Sequence, residues 1–340
     1  MQSPLGNFFQ SPEFYDVLRL ANRNPFILTA PEQDCTAGLL AYTSPDFRLV
    51  SQLRLLSQLF HNLTVYYGPI LAKTTNSNAV DMLLSDLDSE ARKQDAVRVD
   101  IRTPFPPSTL NDVFEQNGYI RYDPGGEYSV IIDLTKDEDT LWKEMKRSAR
   151  ENIKKTIQKN VKIKEVDNEQ ELRSFHQIYL STAERRDFTP YSFSFFNALR
   201  LKCQPKGIAK FFLAWHGEKP IAGILNIVYN GQSVPFIAAS LKDYWKPSPN
   251  HLLFWHSICW SKVEAKAQTF KLYHLPKSKC PKNGIDYYTF KTCFGGDLIR
   301  ECSFYYKVIS PFKLQLLEKG SRLLREGHVR QILRAVGARH

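Results

Sequence analysis

The sequence predicts an α+β protein that consists of two mixed helix–strand halves in series. Short segments with alternating apolar residues lie between longer segments with helical spacing, and the order of these elements repeats along the chain. The repeat rests on element order, since the residues of the halves show no repeat. Hydrophobic residues make up 43% of the 340 residues and aromatic residues 13%, which is enough for a sizeable core.

The first half, predicted as residues 1–134, opens with a helix in SPEFYDVLRLAN, where Ser11 caps the helix and Pro12 fits its first turn. Another helix is expected over 79–96, and a short one begins at a Ser108 cap. The segments FILTA, TAGLLAYT, LTVYYGPIL, AVRVDIR and YSVIIDL are predicted strands, and the segment before LTVYYGPIL is ambiguous.

The second half, predicted as residues 135–312, repeats this order. Two helices separated by Pro190 precede three predicted strands in AKFFLAWHG, PIAGILNIVYNG and SVPFIAASL. A long helix follows, with Asn250 as its expected cap, and then the strands FKLYHL and IDYYTFK. The last of these strands would place Lys291, a strongly hydrated cation, in an apolar segment.

A basic helix is predicted between the halves, over residues 140–160. Lys143, Arg147, Arg150 and Lys154 fall on one face of this helix. The candidate contacts to phosphate are Lys146, Arg147, Arg150 and Lys154. Such a face is either solvated or follows the phosphates of RNA or of a nucleotide diphosphate. The C-terminal segment 313–340 is also amphipathic and basic, a pattern more typical of a packing helix.

Composition limits the partners and the location. The net charge of +11 favours an anionic partner, such as nucleic acid, a nucleotide or an acidic membrane surface. The six cysteines form no CxxC pair, so we expect no metal site and reduced thiols. We expect a cytoplasmic protein, because the N-terminus does not resemble a signal peptide and no apolar run is long enough to span a membrane.

Several catalytic signatures are missing from the sequence, namely GxSxG, GxxxxGK[ST], GxGxxG and HExxH. This argues against common serine hydrolases, P-loop enzymes, dinucleotide enzymes and zincins. The order strand, loop, helix, strand over 234–296 resembles the core of the GNAT acyltransferase fold. Its loop, KPSPN, contains no glycine, and prolines cannot donate backbone hydrogen bonds, which argues against a standard coenzyme A cradle.

An ordered set of segments resembles the Fem (FemABX) aminoacyltransferase family: GNFFQSPEFY, YYGPIL, DLTKDEDTLWKEMKRSARENIKK, TAERRDF with SFSFF, PSPNHLLFWHSICWSKVEA and YYTFKTCFGG. The resemblance covers nearly all of residues 7–312. It implies two tandem GNAT-like subdomains, with the C-terminal helix packing back on the first. It also implies an aminoacyltransferase that moves an amino acid from aminoacyl-tRNA to an amine, such as a peptidoglycan-type envelope precursor, without a cofactor. Peripheral contact with a membrane surface fits such an acceptor.

The resemblance also implies roles for single residues. The pair Phe290–Lys291 would lie at the site of the aminoacyl donor, where a cation stabilises the oxyanion that forms when an amine attacks an ester. Asp100 would contact the acceptor amine, or it pairs with a neighbouring arginine. Tyr244 would help to hold the acceptor, or it packs as an aromatic residue. Arg185 matches the arginine of a TxxR segment, where a structural ion pair is the alternative.

The chain departs from the family pattern on the acceptor side. Tyr191 and Phe195 stand where related enzymes often have arginine and tyrosine, and His274 replaces the acid of a YDxGG segment. His274 is either a proton carrier or a structural histidine. A different amine acceptor is therefore a serious alternative. Two other functions stay open: an N-acyltransferase that uses acyl-CoA, and a non-catalytic module that binds RNA or the envelope.

Overall fold

A computed structural model describes residues 6–32, 35–45, 59–71, 77–104, 107–122, 128–246, 248–275, 287–300 and 302–325. It has the predicted α+β fold with two mixed sheets. The helices of the first half are α1 (Pro12–Leu20), α2 (Ser77–Lys93) and α3 (Pro107–Gln116). Its strands are β1 (Phe26–Glu32), β2 (Cys35–Pro45), β3 (His61–Tyr66), β4 (Ile70–Leu71), β5 (Arg98–Thr103) and β6 (Ile120–Tyr122).

The remaining helices are α4 (Glu138–Glu144), α5 (Arg147–Gln158), α6 (Glu169–Arg186), α7 (Phe193–Lys202), α8 (Pro249–Val263), α9 (Tyr287–Thr292) and α10 (Pro311–Arg325). The remaining strands are β7 (Tyr128–Asp133), β8 (Val161–Glu165), β9 (Ala209–His216), β10 (Lys219–Tyr229), β11 (Gln232–Ser240), β12 (Thr269–Leu275), β13 (Asp297–Arg300) and β14 (Ser303–Val308).

Within the described residues, each sheet has seven strands. The first has the order β1-β2-β3-β5-β14-β6, with β4 beside β2, and the second has the order β13-β7-β12-β11-β10-β9-β8. The sheets do not divide at residue 134. Strand β7 comes before this boundary and lies in the second sheet, whereas β14 comes near the end of the chain and lies in the first. The two halves are therefore joined by exchanged strands.

The two faces of the first sheet differ in character. Alternate residues of β3 and β5, including Leu63 and Ile101, are buried against α2 in one apolar cluster. The residues between them point to the other face, which lies toward the second half and carries Thr64, Asp100 and Arg102. The second sheet is covered by α5 and α8 on one face and by α6 and α7 on the other.

Two predicted elements are wrong. Residues 285–291 were expected as a strand, yet the described part forms the short helix α9. The predicted helix 140–160 is two helices, α4 and α5, because the chain is extended at Met145 and Lys146. There the Lys146 N–H donates to the carbonyl of Cys293 at 2.9 Å. In a continuous helix this N–H would instead donate to a carbonyl of the helix itself.

The expected cap at Asn250 is also wrong. The residue before α8 is Ser248, which has a left-handed backbone, and Pro249 occupies the first turn. The Asn250 amide instead donates to the Ser240 hydroxyl at 3.2 Å, so it ties the start of α8 to the end of β11.

The described part of the C-terminal helix, α10, contacts the first half. Leu317 is buried with Val97, and the Lys313 ammonium pairs with the Asp95 carboxylate at 2.6 Å. No helix within the described ranges is long and apolar enough to cross a membrane. The side chain of Ser108, the ambiguous segment up to residue 58 and residues 326–340 lie outside what the structure describes.

Candidate active site

A cavity of about 740 Å³ lies where β11 and β12 separate. These parallel strands pair only at Gln232–Thr269 and Ser233–Phe270, and they diverge beyond that point. The end of α6, the start of α8 and the helix α9 close the gap. Aromatic side chains make up much of the wall, and Lys291 of α9 faces the space between them.

The Gly295–Gly296 turn holds α9 in place. Both glycines have positive φ, at 86° and 85°. A Cβ on Gly296 would lie 2.5 Å from the carbonyl oxygen of Ile131 in β7, so no other residue fits without a shift of the backbone. The turn thus lets the chain leave α9 and pair at once with β7 as β13.

Lys291 is a half-buried cation with one described hydrogen-bond acceptor. Its ammonium donates to the backbone carbonyl of Tyr273 in β12. Burial lowers the pKa of Lys291 to about 8, together with a smaller contribution from the neighbouring Arg186 guanidinium. The ammonium is therefore poised to lose or donate a proton near neutral pH.

Arg186 is a cavity residue that the sequence analysis missed. Its guanidinium carbon lies 4.9 Å from the ring centroid of Tyr287, in the first turn of α9. Tyr287 and Lys291 are four residues apart and both line the cavity, so Arg186 contacts the same helix that carries the lysine. The signal in the sequence was the Arg185–Arg186 pair, but only the structure shows which of the two faces the cavity.

Arg185 and Tyr244 do not line the cavity. Arg185 donates to the Ser240 carbonyl at 3.1 Å and lies over the ring of Trp245 at 4.9 Å, so it fixes the loop after β11. Tyr244 turns away from the cavity and packs with Lys219, whose ammonium lies 5.0 Å from its ring centroid. Trp245 lines the cavity where a tyrosine was expected.

His251 is a second cavity residue that the sequence analysis missed. It lies in the first turn of α8, and its ring meets the ring of Phe290 edge-on with the centroids 5.0 Å apart. Burial lowers the pKa of His251 to about 4, so the ring is neutral at physiological pH. Phe290 also packs against Phe254, and these contacts fix the residue directly before Lys291.

A smaller cavity of about 300 Å³ adjoins the large one. The two share the residues Tyr66, Thr189 and Tyr191 in their walls. Tyr191 stacks on Phe195 with the ring centroids 4.2 Å apart, and burial raises its pKa well above the ordinary value. Tyr191 thus presents a neutral aromatic ring to both cavities, and the fully buried Phe195 packs behind it.

Asp100 lies in the smaller cavity, so the structure places it next to the Lys291 cavity and not within it. Its carboxylate accepts a hydrogen bond from Arg98 at 3.0 Å and another from the amide of Asn62 at 3.1 Å. The pairing with an arginine, which the sequence left open, is therefore present. Asp100 still faces the smaller cavity.

His274 connects the two halves of the protein. It sits at an irregularity of β12 with a φ of 63°, a left-handed conformation that is unusual for a side chain of this size. Its Nε2 lies 2.8 Å from the Arg102 guanidinium and 3.3 Å from the Tyr66 hydroxyl. Because arginine can only donate, Nε2 accepts this hydrogen bond and the ring is neutral with its proton on Nδ1.

The four basic residues near the start of α5 differ in their surroundings. Arg150 donates to the carbonyls of Trp142, Lys143 and Met145, so it caps the end of α4. Arg147 pairs with Glu151 at 2.7 Å, and Lys146 and Lys154 are exposed. Arg150 is therefore a structural residue, while the other three face solvent.

The fold, with its two mixed sheets, is GNAT-like and is shared with tandem GNAT proteins. Residues 147–278 match the acetyltransferase (GNAT) domain family. This match supports an acyltransferase. A search of curated protein sequences found no significant match.

Solved structures with this fold include FemX, with a TM-score of 0.66 and 14% identity over 93% of this chain and 95% of that chain. A second is the C-terminal domain of a putative lysylphosphatidylglycerol synthetase from Agrobacterium fabrum, with a TM-score of 0.55 and 12% identity over 92% of each chain. A third is a tandem GNAT protein from the clavulanic acid biosynthesis pathway, with a TM-score of 0.57 and 10% identity over 88% of each chain. The expected resemblance to Fem proteins is thus confirmed in the fold.

Proposed function

We propose that the protein is an aminoacyltransferase that moves an amino acid from aminoacyl-tRNA to an amine and forms an amide bond. The observation that carries the proposal is Lys291, a half-buried cation with a lowered pKa in an aromatic cavity. This is the residue that the resemblance to Fem enzymes assigns to the site of the aminoacyl donor. The similarity in fold to FemX and to a putative lysylphosphatidylglycerol synthetase supports the same class of reaction.

The chemistry follows from the charge of Lys291. The lone pair of the acceptor amine attacks the ester carbonyl and forms an amide bond, and the carbonyl oxygen becomes an oxyanion before the ester C–O bond breaks. A cation held in a poorly solvated cavity stabilises this oxyanion, by about 3 kcal/mol in comparable sites. With its pKa near 8, Lys291 also protonates the leaving ribose hydroxyl, and the proton that the amine loses restores the ammonium.

Asp100 is proposed to face the acceptor amine from the smaller cavity, across the shared wall. The acceptor would be a cell-envelope precursor or another amine. Exposed Lys146, Arg147 and Lys154 are proposed to contact tRNA phosphates, because their side chains point to solvent from one region of α5. Charged tRNA as the aminoacyl donor would confine the reaction to the cytoplasm.

A second candidate is an N-acyltransferase that uses acyl-CoA. The match of residues 147–278 to the GNAT domain family favours it. The start of α8 disfavours it, because Ser248 has a left-handed backbone and Pro249 lacks an N–H for a pantetheine phosphate.

A transfer assay tests both candidates. The purified protein is incubated with radiolabelled aminoacyl-tRNA or radiolabelled acetyl-CoA and a panel of amines, and the labelled amide is separated. We expect product from aminoacyl-tRNA, and none once the tRNA is deacylated beforehand. Product from acetyl-CoA alone would replace the first proposal with the second. Binding of tRNA without transfer from either substrate would favour a non-catalytic role.

A further inference from the structure

The smaller cavity is built on the polar face of the first sheet. The strand register places Tyr42, Thr64 and Asp100 side by side on β2, β3 and β5. The next row consists of Tyr66, Arg102 and Phe304 on β3, β5 and β14. These residues share one face because alternate side chains of a strand point the same way. The cavity floor is therefore rigid sheet and not loop.

Positive charge exceeds negative charge in this cavity. Three arginines line it, Arg23, Arg98 and Arg102, and Asp100 is its one carboxylate among the described residues. Asp100 pairs with Arg98, so these two charges offset each other. The guanidinium groups of Arg23 and Arg102 have no carboxylate partner within the described ranges. Two uncompensated arginines at one cavity attract an anion.

Arg102 is held in one position by its neighbours. Its guanidinium carbon lies 4.5 Å from the ring centroid of Tyr66 and 4.6 Å from that of Phe304. Its Nη1 donates to His274 at 2.8 Å, which fixes the plane of the guanidinium. Such a fixed fork loses little conformational entropy when it binds a carboxylate or a phosphate.

Arg23 approaches the cavity from the loop after α1. Thr43 donates to the Arg23 carbonyl at 2.8 Å through both its N–H and its hydroxyl, which ties the loop to β2. The side chain is half-buried and close enough to Tyr42 and Tyr191 that its positive charge partly opposes the rise in pKa that burial causes in both tyrosines. Arg23 and Arg102 therefore line one cavity from different elements.

We propose that the smaller cavity binds the acceptor, and that this acceptor is a compact amine that carries one anionic group, a carboxylate or a phosphate, held by Arg23 and Arg102. The proposal rests on the proposed aminoacyl transfer for the identity of the nucleophile. Asp100 lies in the same cavity as these arginines and faces the amine. A volume of about 300 Å³ suits a molecule of the size of a dipeptide.

Direct binding tests the proposal without the aminoacyl donor. Calorimetric titration of the whole protein uses two matched pairs of probes, glycylglycine against glycylglycinamide and O-phosphoethanolamine against ethanolamine. We expect the anionic member of at least one pair to bind at least about tenfold more tightly. The pair that shows the preference distinguishes a carboxylate from a phosphate.

Variants locate the site. Arg23→Gln and Arg102→Lys should each weaken binding of the preferred anionic probe by about tenfold or more, with little effect on its neutral partner. Arg92→Gln is the matched control, because it removes the same charge from the exposed face of α2, on the far side of the first sheet. Thermal unfolding of each variant identifies any loss of fold. Arg23→Gln should disturb the fold least, because Arg23 lies in a loop.

The outcomes separate the two proposals. Equal binding of both members of each pair, or binding that Arg23→Gln and Arg102→Lys leave unchanged, overturns the acceptor proposal even if transfer from aminoacyl-tRNA is observed. Arginine-dependent binding of an anionic amine without transfer from aminoacyl-tRNA supports the site and counts against the proposed function.

Discussion

The guanidinium of Arg186 lies over the ring of Tyr287, with its carbon 4.9 Å from the ring centroid. Tyr287 precedes Lys291 by one helical turn. Arg186 ends α6, whereas Tyr287 begins α9 about 100 residues later in the chain. The contact therefore joins two distant segments at the cavity and brings a second cation close to the lysine. Like charges disfavour each other, so Arg186 contributes to the lowered pKa of Lys291.

Removing this second cation should change the pH dependence of catalysis. The protonated lysine is the active form, so kcat/KM of the wild type should fall as the pH rises through about 8. In Arg186→Gln the pKa of Lys291 rises, and the fall should move to higher pH. Profiles of kcat/KM between pH 6 and 10 measure the shift. Arg173→Gln, on an exposed turn of the same helix, should leave the midpoint in place. An unchanged midpoint in Arg186→Gln would contradict the electrostatic role.

Neutralising Lys291 should abolish most of the activity and keep the fold. Lys291→Met removes the cation that stabilises the oxyanion, and turnover should drop by about two to three orders of magnitude. Steady-state rates and far-UV circular dichroism measure the two effects. Lys93→Met, in an exposed position of α2, is the matched control and should retain full turnover. A folded Lys291→Met protein with normal turnover would remove Lys291 from the mechanism.

The same variant should reveal a pH-dependent cost of burying Lys291. Between about pH 8 and 10.5 the unfolded chain holds a proton on this lysine that the folded protein has lost. Stability rises with pH wherever the unfolded state binds more protons. The free energy of unfolding of the wild type, measured relative to Lys291→Met, should therefore increase across this window. A constant or decreasing difference in urea titrations would be inconsistent with the lowered pKa.

The Gly295–Gly296 turn should be intolerant of a side chain at its second position. Gly296→Ala meets the Ile131 carbonyl in addition to the strain of a positive φ, and should cost about 2–3 kcal/mol in stability. Gly217→Ala is a matched control, since its φ is also positive, at 60°, and nothing lies within 4 Å of the new Cβ. Urea unfolding compares them, and equal losses would mean that the contact with β7 is unimportant.

Substitutions of Arg150 and Lys154 should affect different properties: the first should lower stability and the second should weaken tRNA binding. Arg150→Ala leaves the carbonyls at the end of α4 without their described donor and should lower the free energy of unfolding by about 1–3 kcal/mol. Lys154→Ala, at an exposed position, should keep the stability and weaken tRNA binding at low salt. Filter binding and urea unfolding measure both variants. If Lys154→Ala lowered the stability and Arg150→Ala weakened tRNA binding instead, Lys154 would be the structural residue and Arg150 the one that contacts tRNA.

Much of the fold could be predicted because local patterns and tertiary packing agree. The alternation in β5 and the helical spacing in α2 describe the same buried faces that the structure shows. The residues 287–291 are different, because a short apolar segment suits a strand or a helix equally well. In the folded protein the helix is favoured by tertiary contacts directly after it, namely the Gly295–Gly296 turn against β7 and the hydrogen bond from the Lys146 N–H to the Cys293 carbonyl.

The sequence by itself determined the α+β class and most of the order of elements, and it singled out Lys291 as a candidate, since these depend on periodicity and on an ordered set of local segments. Only the tertiary structure decided that β7 and β14 exchange sheets, that Arg186 and not Arg185 faces the cavity, and that Asp100 lies in a separate cavity with Arg23 and Arg102. The physical reason is that a side chain's electrostatic surroundings come from strands and helices that meet only after folding, and no local pattern records which of them will meet.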